Sequence, residues 1–127
     1  MRIVDNFIGG QHRASASTRL GNIFNPATGQ VQAQVHLSAP SELDEAIANA
    51  QAAQPAWAAM NPQRRARVMF NLKALIEQHM DELAELLSVE HGKVHSDAKG
   101  DIQRGLDVVE FACGIPHLLK GEYTEGA

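Results

Sequence analysis

The chain has 127 residues, of which 44% are hydrophobic and 20% are charged, proportions typical of a globular domain rather than a disordered one. The net charge is -4, so no overall positive field attracts a nucleic acid, and we expect no nucleic acid partner. No stretch approaches the roughly 20 apolar residues of a membrane span, and the first residues lack the apolar core of a signal peptide. The single cysteine permits no internal disulfide. These features predict a globular, cytoplasmic unit that is not associated with a membrane.

Residues 1–37 are predicted to form two β-hairpins. The β-rich runs Asn6–Ile8 and Val31–Leu37 are separated by residues that favour turns. Gly9-Gly10 tolerates the positive φ angles of a tight first turn, and Asn25–Gly29 is predicted as the second turn, where proline presets φ and glycine closes it. Apolar and polar residues alternate in Val31–Leu37, which predicts a strand with one buried face and one solvated face.

From residue 38 onward the apolar residues recur with a helical period, and residues 38–118 are predicted to form three or four helices. Ser41 and Asp44 have the spacing of a capping box at the start of the first helix. Pro55 is expected to end or kink this helix near Trp57, because proline lacks the backbone N–H that a helix interior requires.

The remaining helix boundaries are predicted from capping residues. Asn61-Pro62 combines a capping side chain with a proline at the first helical position, so a second helix is predicted to begin there. A break is expected at His79–Asp81, and Gly92 is expected to end the next segment in the left-handed conformation. The last helix is predicted from about residue 94 to residue 113 and is expected to end at Gly114–Pro116.

One cysteine and two histidines are of types that act as nucleophiles or metal ligands, but their neighbours in the sequence do not favour either role. Cys113 shares the apolar face of the last predicted helix with Leu106, which predicts a buried packing cysteine rather than a nucleophile. His91 and His95 have the spacing at which two imidazoles on one helix share a metal ion. Gly92 between them is expected to break that helix, so we predict no metal site.

Asp97, Asp101 and Arg104 lie at i, i+4 and i+7, and therefore near one stripe of the last predicted helix. Asp101 and Arg104 are spaced to form an ion pair. The residues alone favour a surface salt bridge of little energetic weight. The sequence contains no Ser-His-Asp arrangement, phosphate-binding loop or G-x-G-x-x-G element that would assign a catalytic or cofactor site.

Five short motifs together resemble the amino-terminal part of aldehyde dehydrogenases. They occur in the order and spacing of that family, and each would be weak alone: Asn6–Gly10, Asn25–Gly29, Ala53–Trp57, Arg64–Arg67 and Glu90–Lys93. Gly100–Cys113, followed by Pro116–Glu122, resembles the stretch typical of CoA-acylating methylmalonate-semialdehyde dehydrogenases. The resemblance implies a longer enzyme with an NAD domain, a catalytic domain and an oligomerisation arm.

The resemblance also implies an activity for that longer enzyme. Such enzymes oxidise methylmalonate or malonate semialdehyde with NAD and form propanoyl-CoA or acetyl-CoA, in valine and inositol catabolism. The catalytic cysteine, its oxyanion donors and the glycine-rich cofactor segment lie downstream in the family. We therefore expect no catalytic, cofactor-binding or metal-binding residue here, and an isolated chain that is inactive and binds neither NAD nor CoA tightly.

Arg104 is the one residue to which the resemblance gives a role. In this subfamily the arginine of the R-G pair helps to hold the substrate carboxylate. The chemistry agrees, because a planar guanidinium can grip a carboxylate with two parallel hydrogen bonds. Arg104 is therefore predicted to bind a small semialdehyde substrate in the full enzyme.

The predicted fold class is an α+β fragment in which residues 1–127 form the outer part of an α/β, Rossmann-like NAD-binding domain. Hairpins occupy residues 1–37, helices occupy 38–118, and 119–127 form a tail. The apolar helix faces need a partner, and we expect either the remainder of the dehydrogenase or self-association. The alternative is a small non-enzymatic helical binding or oligomerisation module derived from the family. A reading frame that continues beyond residue 127 would favour the enzyme.

Overall fold

The computed structural model describes residues 1–126. The chain divides into two compact units, one formed by residues 1–59 and the other beginning at residue 60. The first unit contains five short strands and a long helix: β1 (Arg2–Val4), β2 (Asn6–Ile8), β3 (Gln11–Arg13), β4 (Leu20–Phe24), β5 (Val31–His36) and α1 (Pro40–Ala59). The second unit contains only helices: α2 (Pro62–Gln78), α3 (Met80–His91), α4 (His95–Cys113) and α5 (Ile115–Leu118).

Both expected hairpins are present in the first unit. Strands β2 and β3 pair antiparallel across Gly9 and Gly10, whose φ angles are 64° and 78°. Strands β4 and β5 also pair antiparallel, and the Gly29 amide donates to the Asn25 carbonyl at 2.8 Å in their turn. The pairing of β1 with β5 was not predicted. It is parallel and makes β5 the central strand of a three-stranded sheet in the order β1-β5-β4.

Strand β5 does not have the predicted buried and solvated faces. Of its residues only Ala33 is buried, and the others, polar and apolar alike, are half-buried. The polar side chains find partners within the unit: the Gln34 amide donates to Asn22 Oδ1 at 3.0 Å, and His36 Nδ1 contacts the Ser17 carbonyl oxygen at 2.9 Å. Alternation of apolar and polar residues therefore did not predict the burial of this strand.

The start of α1 is stabilised by a carboxylate from within its first turn. Glu42 accepts hydrogen bonds from the Ala39 amide at 2.7 Å, the Ser15 hydroxyl at 2.8 Å and the Ala16 amide at 3.2 Å. These bonds, with that from Ala39 first, lower the pKa of Glu42 below its usual value. A negative charge at this position also complements the positive end of the helix dipole.

One detail predicted for α1 was wrong. The capping box of Ser41 and Asp44 does not form, because the helix begins at Pro40, two residues earlier than a cap at Ser41 requires, and Glu42 supplies the capping oxygen. Pro55 lies inside the helix, which ends four residues after it, at Ala59. The proline is accommodated because losing one backbone hydrogen bond did not outweigh the helical preference of the alanine-rich residues around it.

The second unit is built around α4, which packs against both α2 and α3. The buried residues of this unit are mostly small. They are Ala66 on α2, Ala84 on α3, and Ala98, Leu106 and Cys113 on α4. Alanine at a helix contact lets the two backbones approach closely, so α4 is held in place by small side chains rather than by a large apolar core.

Most of the predicted helix boundaries in this unit are confirmed. Asn61 caps α2 through a hydrogen bond from the Gln63 amide at 2.9 Å, the break occurs at His79, and Gly92 ends α3 with a φ of 82°. Gly114 ends α4 but is not left-handed: its φ is -88°, and the chain continues directly into α5. The described residues thus contain five helices, one more than the upper bound of the prediction.

Large apolar side chains remain exposed on these helices. They include Leu72 and Leu75 on α2, Leu86 on α3, and Val108 and Phe111 on α4. Across residues 1–126, every helix is too short or too polar to span a lipid bilayer. Exposed apolar patches on globular proteins usually mark surfaces for protein contacts or for a ligand.

Candidate functional site

The first half of α4 and the loop before it carry four charged side chains in contact with one another. The sequence predicted three of them, Asp97, Asp101 and Arg104. The fourth is Lys93, which lies between α3 and α4. We call these four residues the α4 charge network.

Arg104 lies at the exposed end of this network. Its Nη2 donates to Asp101 Oδ1, which confirms the expected ion pair. The Arg104 side chain is nevertheless 69% exposed, and a Cβ built on Gly100 would lie 3.7 Å from its Nη1. The guanidinium thus extends back over the preceding turn, as long side chains on helices do, and presents N–H groups to a ligand.

Lys93 lies at the opposite, less exposed end. Its Nζ contacts Asp101 Oδ2 and lies 3.0 Å from Asp97 Oδ2, and its side chain is only 16% exposed. Sequence reasoning missed this role and used Lys93 only as part of a family motif. The i, i+4 spacing of Lys93 and Asp97 was the available signal, but Lys93 precedes the helix, and its direction depends on the left-handed turn at Gly92.

Lys93 and Asp101 shift each other's pKa toward the charged form. The hydrogen bond from Lys93, followed by that from Arg104, holds the pKa of Asp101 below its usual value despite partial desolvation. The reciprocal bonds to Asp101 and then Asp97 raise the pKa of Lys93. Lys93 and Asp101 therefore each stabilise the charged form of the other.

Cys113 is buried, as expected. It lies at the wall of an open cavity of about 700 Å³ among α2, α4 and α5. Its thiol donates to the Val109 carbonyl at 3.4 Å, and a carbonyl oxygen does not act as a general base. The nearby Lys73 pairs with Glu77 at 2.5 Å and Glu110 at 3.5 Å. These contacts fit a structural cysteine.

His91 and His95 do not share a helix. His91 is the last residue of α3 and His95 the first of α4, with the break at Gly92 that the sequence predicted. His95 Nε2 lies 3.5 Å from the Asp81 carbonyl oxygen. Within residues 1–126 no group of three histidine, cysteine, aspartate or glutamate side chains is placed to hold a metal ion.

The described residues do not fit the pyrophosphate of a dinucleotide. Such a group binds where a glycine-rich turn joins a strand to a helix. Here β5 leads into α1 through Leu37, Ser38 and Ala39, with no glycine. The Ala39 amide, directly before α1, already donates to the Glu42 carboxylate, whose negative charge at the start of the helix would repel a phosphate. No step of dinucleotide chemistry is therefore assigned to residues 1–126.

The order of strands and helices is that of the amino-terminal part of one class of oxidoreductase. Residues 12–127 match the aldehyde dehydrogenase family. The chain belongs to that family, and the family expected from its motifs is confirmed.

The chain is similar to curated malonate-semialdehyde dehydrogenases. The chain is 48% identical to malonate-semialdehyde dehydrogenase 3 of Geobacillus kaustophilus (strain HTA426) over 121 residues, which is 95% of this chain and 25% of that protein. It is 42% identical over 122 residues to the malonate-semialdehyde dehydrogenase of Listeria innocua serovar 6a, again covering 25% of it. The chain thus spans about a quarter of the length of the curated relatives it matches.

Solved structures confirm the predicted fold class. A structure from Sinorhizobium meliloti 1021, named as a methylmalonate-semialdehyde dehydrogenase and complexed with NAD, has a TM-score of 0.92 and 57% identity, covering 100% of this chain and 26% of that one. An NAD-dependent benzaldehyde dehydrogenase from Corynebacterium glutamicum has a TM-score of 0.86 and 26% identity, covering 97% of this chain and 28% of that one.

Proposed function

We propose that this chain is the amino-terminal segment of an NAD-dependent, CoA-acylating methylmalonate-semialdehyde dehydrogenase. The whole enzyme would oxidise methylmalonate or malonate semialdehyde to propanoyl-CoA or acetyl-CoA. The observation that carries the proposal is the 57% identity to the S. meliloti structure along the entire chain. Identity to the benzaldehyde enzyme is only 26%, so the similarity favours semialdehyde enzymes over aldehyde dehydrogenases in general.

Within that enzyme we assign Arg104 to the substrate carboxylate. Its side chain is largely exposed, and one of its nitrogens, Nη2, is engaged by Asp101. A guanidinium has five N–H donors in a planar fork, so the remaining edge is available for a carboxylate. A semialdehyde substrate carries such a carboxylate, whereas a plain aldehyde does not.

The isolated chain is proposed to be inactive and to bind neither NAD nor CoA tightly. The absence of a phosphate-binding turn in residues 1–126 and the Glu42 carboxylate at the start of α1 support this. Titration calorimetry of the 127-residue chain with NAD should give no measurable heat of binding at micromolar concentrations. A saturable signal in that range would contradict the proposal.

The decisive experiment is to read and express the native reading frame past residue 127. We expect a longer protein that reduces NAD with malonate semialdehyde and requires CoA for rapid turnover. A long product that reduces NAD with benzaldehyde but not with malonate semialdehyde would refute the substrate assignment. A reading frame that stops at residue 127 would favour the non-enzymatic helical module.

The partner of the exposed apolar surfaces follows from the same proposal. We assign Leu72, Leu75, Leu86 and the apolar residues of α4 to contacts with the remainder of the dehydrogenase. Without that remainder, the isolated chain is expected to self-associate, since large exposed apolar patches are unusual on monomers. Sedimentation velocity of the chain over a range of concentrations tests this. A cytoplasmic location is proposed because the single cysteine fits a reducing compartment.

A further inference from the structure

The α4 charge network is anchored at one end and free at the other. The side chains become progressively more exposed along it, from 16% at Lys93 through 35% at Asp101 to 69% at Arg104. Asp101 lies at the centre and uses a different oxygen for each cation, Oδ2 for Lys93 and Oδ1 for Arg104. Lys93 thus restrains the Asp101 carboxylate, and this carboxylate in turn restrains the Arg104 guanidinium.

This geometry matters because an unrestrained arginine side chain is flexible. Its long side chain has many rotamers, and fixing one of them opposes binding. The bond from Nη2 to Asp101 restricts Arg104 before a ligand arrives, and among residues 1–126 its guanidinium has no other hydrogen-bonding partner. The remaining N–H groups of Arg104 are therefore already oriented when a carboxylate arrives.

Lys93 also compensates an unfavourable electrostatic effect of Asp101. A lone Asp101 beside Arg104 would repel the carboxylate that Arg104 is meant to bind. Contact with Lys93 compensates that negative charge at close range. With Asp97 included, the charges of the four side chains sum to zero, so the network orients Arg104 rather than attracting anions from a distance.

We propose that Lys93 and Asp101 are positioning residues for Arg104: they hold its guanidinium with one edge free for the carboxylate of a semialdehyde. The proposal rests on the proposed function of Arg104. It adds two residues that contact the arginine or its partner and are not themselves expected to touch the substrate.

The test compares variants of the full-length dehydrogenase that carries this chain, assayed with malonate semialdehyde and with propanal. Lys93→Met keeps the length of the side chain and removes its charge. We expect its KM for malonate semialdehyde to rise by about 3- to 30-fold, within the range that coupling between contacting residues spans. Its kcat and its kinetics with propanal should not change. Lys93→Arg should restore most of the lost affinity.

Lys99→Met is the matched control. Lys99 also lies on α4 and pairs with an aspartate, Asp81, outside the network, so its loss should leave both substrates unaffected. Lys93→Met should add nothing to Arg104→Ala when the two are combined, since both act through one guanidinium. If Lys93→Met fails to fold, as judged by its circular dichroism, Asp101→Asn replaces it, with the same selective rise in KM expected.

The failures of the two proposals are distinguishable. If Arg104→Ala affects malonate semialdehyde and propanal equally, the assignment of Arg104 itself fails, and the positioning role fails with it. If Arg104→Ala is selective but Lys93→Met or Asp101→Asn leaves the KM unchanged, only the positioning role is overturned. A fully additive loss in the double variant, or an equal loss for both substrates in Lys93→Met, would also overturn it.

Discussion

Replacing Arg104 with alanine in the full-length enzyme should separate substrate binding from structural support. The side chain is 69% exposed and its ion pair with Asp101 lies at the surface, so its removal should cost little stability. A charge-assisted contact to the substrate carboxylate contributes about 1.5–3 kcal/mol. At about 1.4 kcal/mol per factor of ten, kcat/KM for malonate semialdehyde should fall roughly 10- to 150-fold.

The assay is steady-state NAD reduction with two aldehydes that differ in one group. Propanal lacks the carboxylate, so its kcat/KM should change little in Arg104→Ala. Arg104→Lys keeps the charge but loses the planar fork, and we expect an intermediate loss. Gln103→Ala is a matched control, because Gln103 is the adjacent residue on α4 and donates only to Asp107, at 2.9 Å.

One result would refute this reasoning about Arg104. An equal loss with malonate semialdehyde and propanal would show that Arg104 supports the structure, through Asp101, rather than the substrate. A matching fall in the thermal midpoint of Arg104→Ala would point the same way. An unchanged midpoint with a selective loss is the expected outcome.

Three further predictions concern stability and use chemical or thermal unfolding of the chain. Ala98 is fully buried at a helix contact, so Ala98→Leu should lower the free energy of unfolding by about 1–3 kcal/mol in urea titrations; no change would mean the contact is loose. Gly92 has a φ of 82°, and Gly92→Ala should destabilise by about 1–2 kcal/mol, whereas a higher thermal midpoint would contradict this. The lowered pKa of Glu42 stabilises the fold above the usual carboxylate value of 4.5, and that stabilisation is lost as the pH falls through the lowered value. Glu42→Gln should therefore be less stable than the parent at neutral pH, and the difference should shrink on acidification; a constant difference would exclude the carboxylate as its cause.

Features set by neighbouring residues could be predicted from the sequence. The turn at Gly9-Gly10 and the helix ends at Asn61 and Gly92 depend on the backbone freedom or side-chain oxygen of the residue itself. The start of α1 was misplaced by two residues. The capping oxygen comes from Glu42, whose bonds to Ser15 and Ala16 join segments distant in the sequence, and such bonds leave no local pattern.

The candidate site was only partly visible in the sequence. Helical spacing predicted the pair of Asp101 and Arg104, and the family resemblance supplied a role for Arg104. Neither indicated Lys93 as the fourth member of the α4 charge network. Its position depends on how the chain leaves Gly92 and enters α4, which is a property of the packed helices rather than of any one motif.

The parallel pairing of β1 with β5 sets an order of events during synthesis on the ribosome. Arg2 lies opposite Ala33, and Val4 lies opposite Val35, so β1, which leaves the ribosome before β5, has no partner in this sheet until β5 follows it. Closing such a distant pair costs more chain entropy than closing either hairpin. The hairpin of β4 and β5 should therefore form first and act as the template on which the amino terminus docks.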